Sequence, residues 1–249
     1  MISEGRVAVV TGGGSGIGEA IAMKLAQNGA RVAILDISKE NADKVAGNIQ
    51  AMGKEAIAVP CDVSKKDDCQ KAAQAAIDQW GRLDILVHCA GILYDAPLKK
   101  LTEENWDRVY NVNVKGTLFC IQAVQEQMTK QKYGRIVTVG SAAYLGNAYQ
   151  AAYSSAKGAV VSLTKVTALE LARYGITANC IAPGLVETPM TAGMAPEAKE
   201  GLAKSIPLGR LGQPEDIAHM ALTLVADEAG YVTSQIIIID GGLTAAVRA

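Results

Sequence analysis

Seven short, near-continuous apolar runs rich in β-branched residues recur along the chain, at 7–10, 32–35, 57–59, 83–87, 136–139, 176–181 and 236–239. Runs of this length without strict alternation read as strands buried on both faces, which is the signature of a parallel sheet. Parallel neighbours need crossover connections, and the segments 19–27, 41–52, 66–79 and 154–173 have the composition and apolar spacing of helices. A crossover helix must pack back on one face of the sheet. The expected architecture is therefore α/β, a doubly wound seven-stranded parallel sheet with helices on both faces.

A chain of 249 residues with 49% apolar and 20% charged residues can bury one large core. No internal repeat, Pro- or Ser-rich linker or shift in composition marks a boundary, so residues 1–249 read as a single domain. Its longest irregular stretch is 183–196. The formal charge of −1 argues against nucleic acid or an anionic membrane surface as partner. Five cysteines without a CxxC pair read as reduced thiols, which fits a cytoplasmic setting. His88 and His219 lie far apart without zinc-type spacing, so no metal is expected. No export signal or run of about 18 apolar residues stands out.

The first strand runs into Thr11-Gly-Gly-Gly-Ser-Gly-Ile-Gly18 and then into a helix. Glycines there permit positive φ and close approach, and the N–H groups opening the helix attract a pyrophosphate. The pattern is TGxxxGxG rather than GxGxxG, with Gly12, Ser15, Gly16, Ile17 and Gly18 as candidate phosphate-loop residues. Asp36 closes the second strand 18 positions after Gly18, where a carboxylate accepts hydrogen bonds from the adenosine ribose or caps the turn before the Ser38 helix. In the first role it would repel a 2′-phosphate, which favours NAD over NADP by about one to two decades.

Tyr153 and Lys157 stand at i, i+4 in a helical segment, so phenol and ammonium share one face. A cation that favours phenolate turns a tyrosine into a working general acid and base. Such a pair is common, with about half an occurrence expected by chance, so context decides. Ser141 supplies it, lying just past the strand 136–139 where doubly wound folds place ligand groups.

With these residues the chain resembles the short-chain dehydrogenase/reductase family over 7–242, nearly its whole length. The resemblance implies a single Rossmann-type domain carrying dinucleotide and substrate sites together, with a substrate loop at about 184–210. It implies Tyr153 as acid/base, Lys157 beside it on the nicotinamide ribose, Ser141 on the substrate oxygen and Asn113 continuing a proton relay through water. It also implies Asp62 and Val63 at the adenine, the Cys89-Ala90-Gly91 backbone along the cofactor, and Pro183, Gly184, Val186 and Thr188 holding the carboxamide. Asp240-Gly241-Gly242 resembles the family's terminal signature, and a homotetramer is the usual assembly.

Three departures stand out. His88-Cys89 replaces the usual Asn-Asn, Ser141 and Tyr153 are only 12 apart, and Ser234 stands where glycine is common. The implied reaction is NAD(H)-dependent interconversion of a secondary alcohol and a ketone. The alternatives are an NADPH-dependent 3-oxoacyl-acyl carrier protein reductase, a sugar dehydrogenase, or a dinucleotide-binding regulator without turnover. Candidate pocket residues Leu93, Tyr94, Tyr144, Leu145, Tyr149, Met190 and Met194 include no cation, which points to a neutral substrate.

Overall fold

The computed structural model describes residue 2 and residues 4–245. Seven strands, β1 (Val7–Thr11), β2 (Arg31–Asp36), β3 (Ala56–Pro60), β4 (Ile85–His88), β5 (Gly134–Val139), β6 (Ile176–Pro183) and β7 (Ile236–Ile239), form one parallel sheet in the order β3-β2-β1-β4-β5-β6-β7. The expected doubly wound α/β fold is present. The chain winds outward from β1 to β3, returns to lay β4 on the other side of β1, and winds outward again.

Side-chain alternation along these strands divides the core in two. Ala8, Val10, Val32, Ile34, Ile85, Val87, Val137 and Val139 face α1 (Gly16–Gln27), α2 (Lys39–Ala51) and α8 (Pro214–Val225). Val7, Val9, Ala33, Leu35, Leu86 and Ile136 face α3 (Lys66–Trp80), α5 (Gly116–Gln131) and α6 (Ala151–Leu171). Strands flanked this way must be apolar at nearly every position, which explains why their runs are continuous.

Boundaries differ in detail from the sequence reading. The fourth strand begins at Ile85 rather than at 83, because Asp84 turns its carboxylate to the Val7 N–H (2.9 Å) and to Arg6 and Arg82. The last long helix starts at Ala151, three residues before the expected 154. Periodicity also names no helix between β4 and β5 or after β6. The structure places α4 (Glu103–Tyr110), a π turn (Asn111–Lys115) and α5 in the first interval, and α7 (Pro196–Ser205) and α8 in the second. Of the stretch 183–196, Pro183 belongs to β6 and Pro196 to α7, and the residues between are irregular apart from a short 3-10 turn, Pro189–Thr191, and one bridge from Val186 to Gly212. A third small cluster, Val109, Ala152 and Ala156, locks α4 onto α6. Among the described residues no helix is long and apolar enough to cross a membrane.

Candidate active site

The carboxyl ends of β1 and β4 lie side by side with Thr11 paired to His88, at the point where the strand order reverses. A crevice opens there by construction. Beyond β1 the chain turns through Gly12 (φ 62°) and Gly16 (φ 55°), conformations that a Cβ would strain. A Cβ at Gly18 would sit 2.0 Å from the Gly12 carbonyl oxygen, so α1 begins hard against the loop. Ser15 is its N-cap residue with extended backbone and no side-chain cap bond, and Ile17 packs on the core behind.

The Asp36 carboxylate accepts from the N–H of Gly14 (3.0 Å) and of Ser38 (2.9 Å). It caps the turn before α2 and ties the phosphate loop to β2 at once, and a carboxylate with about four acceptor sites keeps two for a ligand. Asp62 accepts from the Ser64 hydroxyl (2.7 Å) and N–H (3.1 Å) and faces Lys65 Nζ at 3.4 Å; the hydroxyl bond foremost holds it below the usual carboxylate range. Val63 packs against Gly116, where a Cβ would fall 2.8 Å from its side chain. Beneath it, Cys69 donates to the Val63 carbonyl (3.5 Å) and Cys120 donates to Cys69 (3.6 Å).

Across the crevice, Pro183 closes β6, and the Gly184 N–H donates to Ile239 O at 2.9 Å. Val186 bridges Gly212, and Thr188 opens the 3-10 turn. A Cβ at Gly16 would lie 3.4 Å from Thr188, so the two sets of expected cofactor residues face each other.

Lys157 is buried, donates to the Val139 carbonyl at 2.9 Å, and sits 5.6 Å from the centroid of the Tyr153 ring. Ser141, two residues past β5, accepts from the Ala143 N–H at 3.1 Å. Asn113, in the π turn and also buried, clasps Ile92: the Ile92 N–H donates to Oδ1 (3.1 Å) and Nδ2 donates to the Ile92 carbonyl (2.8 Å). One amide hydrogen remains for water. A Cβ at Gly91 would be 2.5 Å from Asn113 Oδ1 and 3.3 Å from Lys157 Nζ, so this glycine brings the two together.

Three participants escape the sequence reading. Thr11 Oγ1 accepts from the Ala90 N–H (3.2 Å) and bonds His88 Nδ1 (3.0 Å), holding the Cys89–Gly91 segment against the phosphate loop. Its position as the last strand residue before the glycines is the available signal. The Val139 carbonyl anchors Lys157, which no side-chain pattern reveals. The third is Arg108 of α4, which lines a cleft of about 470 Å³ together with Gly91, Leu93, Tyr94, Asn105 and Met190. The cleft therefore contains a cation, contrary to the expectation drawn from loop residues alone, because periodicity does not reveal α4 as part of its wall.

The family model described as enoyl-(acyl carrier protein) reductase matches residues 12–244. A Thauera aromatica protein, (2S)-[(R)-hydroxy(phenyl)methyl]succinyl-CoA dehydrogenase subunit BbsD, is 42% identical over 239 residues, covering 96% of each chain. The 3-oxoacyl-[acyl-carrier-protein] reductase FabG of Thermotoga maritima is 42% identical over 241 residues, covering 96% of this chain and 98% of its own. The chain belongs to the short-chain dehydrogenase/reductase family. The crystal structure of gox2181 superposes with a TM-score of 0.95 at 36% identity over 98% of both chains. As a short-chain dehydrogenase/reductase the protein is an oxidoreductase that works with a nicotinamide dinucleotide.

The His88-Cys89 pair departs from the family pattern. His88 is buried, with Nε2 lacking any hydrogen-bond partner among the described residues. A charged ring would bury an unsatisfied donor near the Lys157 ammonium, and burial first, then that charge, depress its pKa to about 3. His88 is a neutral link from β4 to Thr11. Burial likewise pushes the Cys89 thiol up to about 12, against the pull of Lys157. The half-buried thiol therefore stays protonated near neutral pH.

Proposed function

We propose that the protein interconverts a secondary alcohol and a ketone with NAD(H), and that Tyr153 moves the proton. The observation that carries this reading is Lys157, buried one helical turn from Tyr153 and fixed by the Val139 carbonyl at the carboxyl end of the sheet. The residues fit a dinucleotide: a glycine cradle that a Cβ would fill at Gly18, a helix N-terminus behind it and a carboxylate at the end of β2.

Gly12, Ser15, Gly16, Ile17 and Gly18 would hold the pyrophosphate. Asp36 would take the ribose, Asp62 and Val63 the adenine, Cys89 to Gly91 the adjoining backbone, and Pro183, Gly184, Val186 and Thr188 the carboxamide. The nicotinamide supplies or accepts the hydride. Ser141 orients the substrate oxygen. Tyr153 takes its proton in oxidation and returns it in reduction, and Lys157 holds the phenol ready for either step. Asn113 fixes Ile92, and through its remaining amide hydrogen orders water for exchange of that proton with solvent.

The names of the relatives support a second substrate reading, a hydroxyacyl or oxoacyl thioester. Asp36 favours NAD in either case, because a carboxylate that takes the ribose would repel a 2′-phosphate there. The substrate site would occupy the cleft beside Gly91 and the loop at about 184–210, within the same domain. A cytoplasmic homotetramer is the expected state, supported by exposed Val166 and Leu169 on α6 and Ile238 on the edge strand β7.

Initial rates with NAD and NADP, each against secondary alcohols, polyols and 3-hydroxyacyl thioesters, test both parts. Faster turnover with NAD is expected. NADP preference would overturn the role given to Asp36, and binding of NADH without turnover of any substrate would favour a regulator.

A further inference from the structure

We propose that Arg108 receives an anionic group of the substrate, a carboxylate or a phosphate, and so determines which alcohols the enzyme accepts. The inference deepens the alcohol and ketone reading above and rests on it. Seven arginines lie among the described residues, and six are engaged: Arg6 and Arg82 with Asp84, Arg31 with Glu55, Arg135 with main-chain carbonyls, Arg173 over the Tyr174 ring and Arg210 with Asp216. For the Arg108 guanidinium the described residues provide no ion pair, hydrogen bond or ring contact. It lines the cleft that Gly91 also lines, and on its other side Gly91 adjoins Lys157 and Asn113, so one glycine stands between the cleft of the cation and the residues proposed for proton transfer.

The position of Arg108 is fixed by packing. Val109, the next residue of α4, is fully buried against Ala152 and Ala156 of α6, the residues that precede Tyr153 and Lys157. The helix that carries the guanidinium is thus locked to the helix that carries the phenol. A guanidinium offers a planar pair of donors that matches a carboxylate or phosphate in two parallel hydrogen bonds. Asp95 lines the same cleft without pairing to Arg108, and its charge opposes an incoming anion. Removing it should therefore strengthen the binding that removing Arg108 weakens.

The test uses the full chain with NADH bound. Isothermal titration with coenzyme A probes a phosphate and titration with succinate probes a carboxylate, for wild type, Arg108→Ala, Arg108→Lys and Asp95→Asn. Wild type is expected to bind one of the two, Arg108→Ala to bind it ten- to a hundredfold more weakly, Arg108→Lys to lie between, and Asp95→Asn to bind it more tightly. In parallel, kcat/KM for a 3-hydroxyacyl-CoA and a hydroxydicarboxylate is divided by that for the neutral N-acetylcysteamine thioester. This ratio should fall ten- to a hundredfold in Arg108→Ala through KM.

Failure of wild type to bind either anion overturns the proposal, as does an unchanged affinity and ratio in Arg108→Ala. If the anion binds through Arg108 but no alcohol or ketone is turned over, the reaction assignment fails while the anion site stands.

Discussion

The two ends of the sheet use polar side chains in opposite ways. At the amino end, buried Asp84 accepts from Arg6, Arg82 and the Val7 N–H, Arg6 lies over the Tyr133 ring at 3.6 Å, and the Tyr133 hydroxyl donates to Asp227 at 2.7 Å. Arg135, from β5, lies over the same ring and donates to the carbonyls of Gly134 and Gly175. At the carboxyl end of the same strands, Lys157 is held by the Val139 carbonyl and Asn113 by Ile92, while the guanidinium of Arg108 lines a cleft. One end joins its charged groups to one another across strands; the other fixes Lys157 and Asn113 through main-chain groups and leaves the Arg108 guanidinium without a partner among the described residues. Changes at the first should therefore register as stability, and changes at the second as turnover.

The largest effect that would break this division belongs to Tyr153→Phe. Losing the phenolic proton should lower kcat by about 10²- to 10⁴-fold with the thermal midpoint unmoved, as steady-state rates and calorimetry would report. Retention of near wild-type turnover would remove the acid/base assignment. Next comes Asp84→Ala, which removes the shared partner of Arg6, Arg82 and the Val7 N–H at the opposite end, while Arg6 keeps Asp227 and Arg82 reaches solvent. Urea unfolding should record a loss of about 1–3 kcal/mol. In the protein that remains folded at low temperature, kcat should stay close to wild type.

Asp36→Asn sharpens the contrast within the site. The kcat/KM preference for NAD over NADP should shrink by about one to two decades, with kcat for NAD barely altered. A preference unmoved by the substitution would return Asp36 to a turn cap alone.

The smallest effect concerns His88 and acid. Its pKa of about 3 in the folded protein lies below the ordinary 6.5, so between these values unfolding takes up a proton that the native ring refuses. Stability then falls as pH drops through that window, by about 1.4 kcal/mol per pH unit at most from this group. His88→Asn should have a shallower decline between pH 6.5 and 4.5 than wild type in parallel denaturation curves. Equal slopes would mean that the imidazole already carries its proton when folded.

How legible each region is depends on the range of its interactions. The strands are readable because each is buried on both faces, and Tyr153 and Lys157 because one helical turn joins them. The phosphate loop is readable for the same local reason. Arg108 is invisible because α4 is an eight-residue helix with one buried residue, Val109, too short to impose a period, and only its packing on Ala152 and Ala156 brings it to the cleft. Asn113 is named through a likeness of motif, yet its grip on Ile92 crosses 21 residues and no local pattern announces it. Thr11 looks like any strand threonine until the pairing of β1 with β4 puts it opposite His88.

The π turn at Asn111–Lys115 has a consequence for chain length. Tyr110, Asn111, Lys115 and Gly116 all keep right-handed helical dihedrals, so α4 and α5 form one continuous helix carrying a single extra residue. The wide turn absorbs that residue, so α4 and α5 stay in phase on either side of it. Deleting one residue there would close the turn to regular winding, leave Val109 on α6, and move the residues inside the turn, Asn113 with its hold on Ile92 among them. The extra residue is thus a local allowance of backbone spent on placing one amide, and the helices on either side do not depend on it.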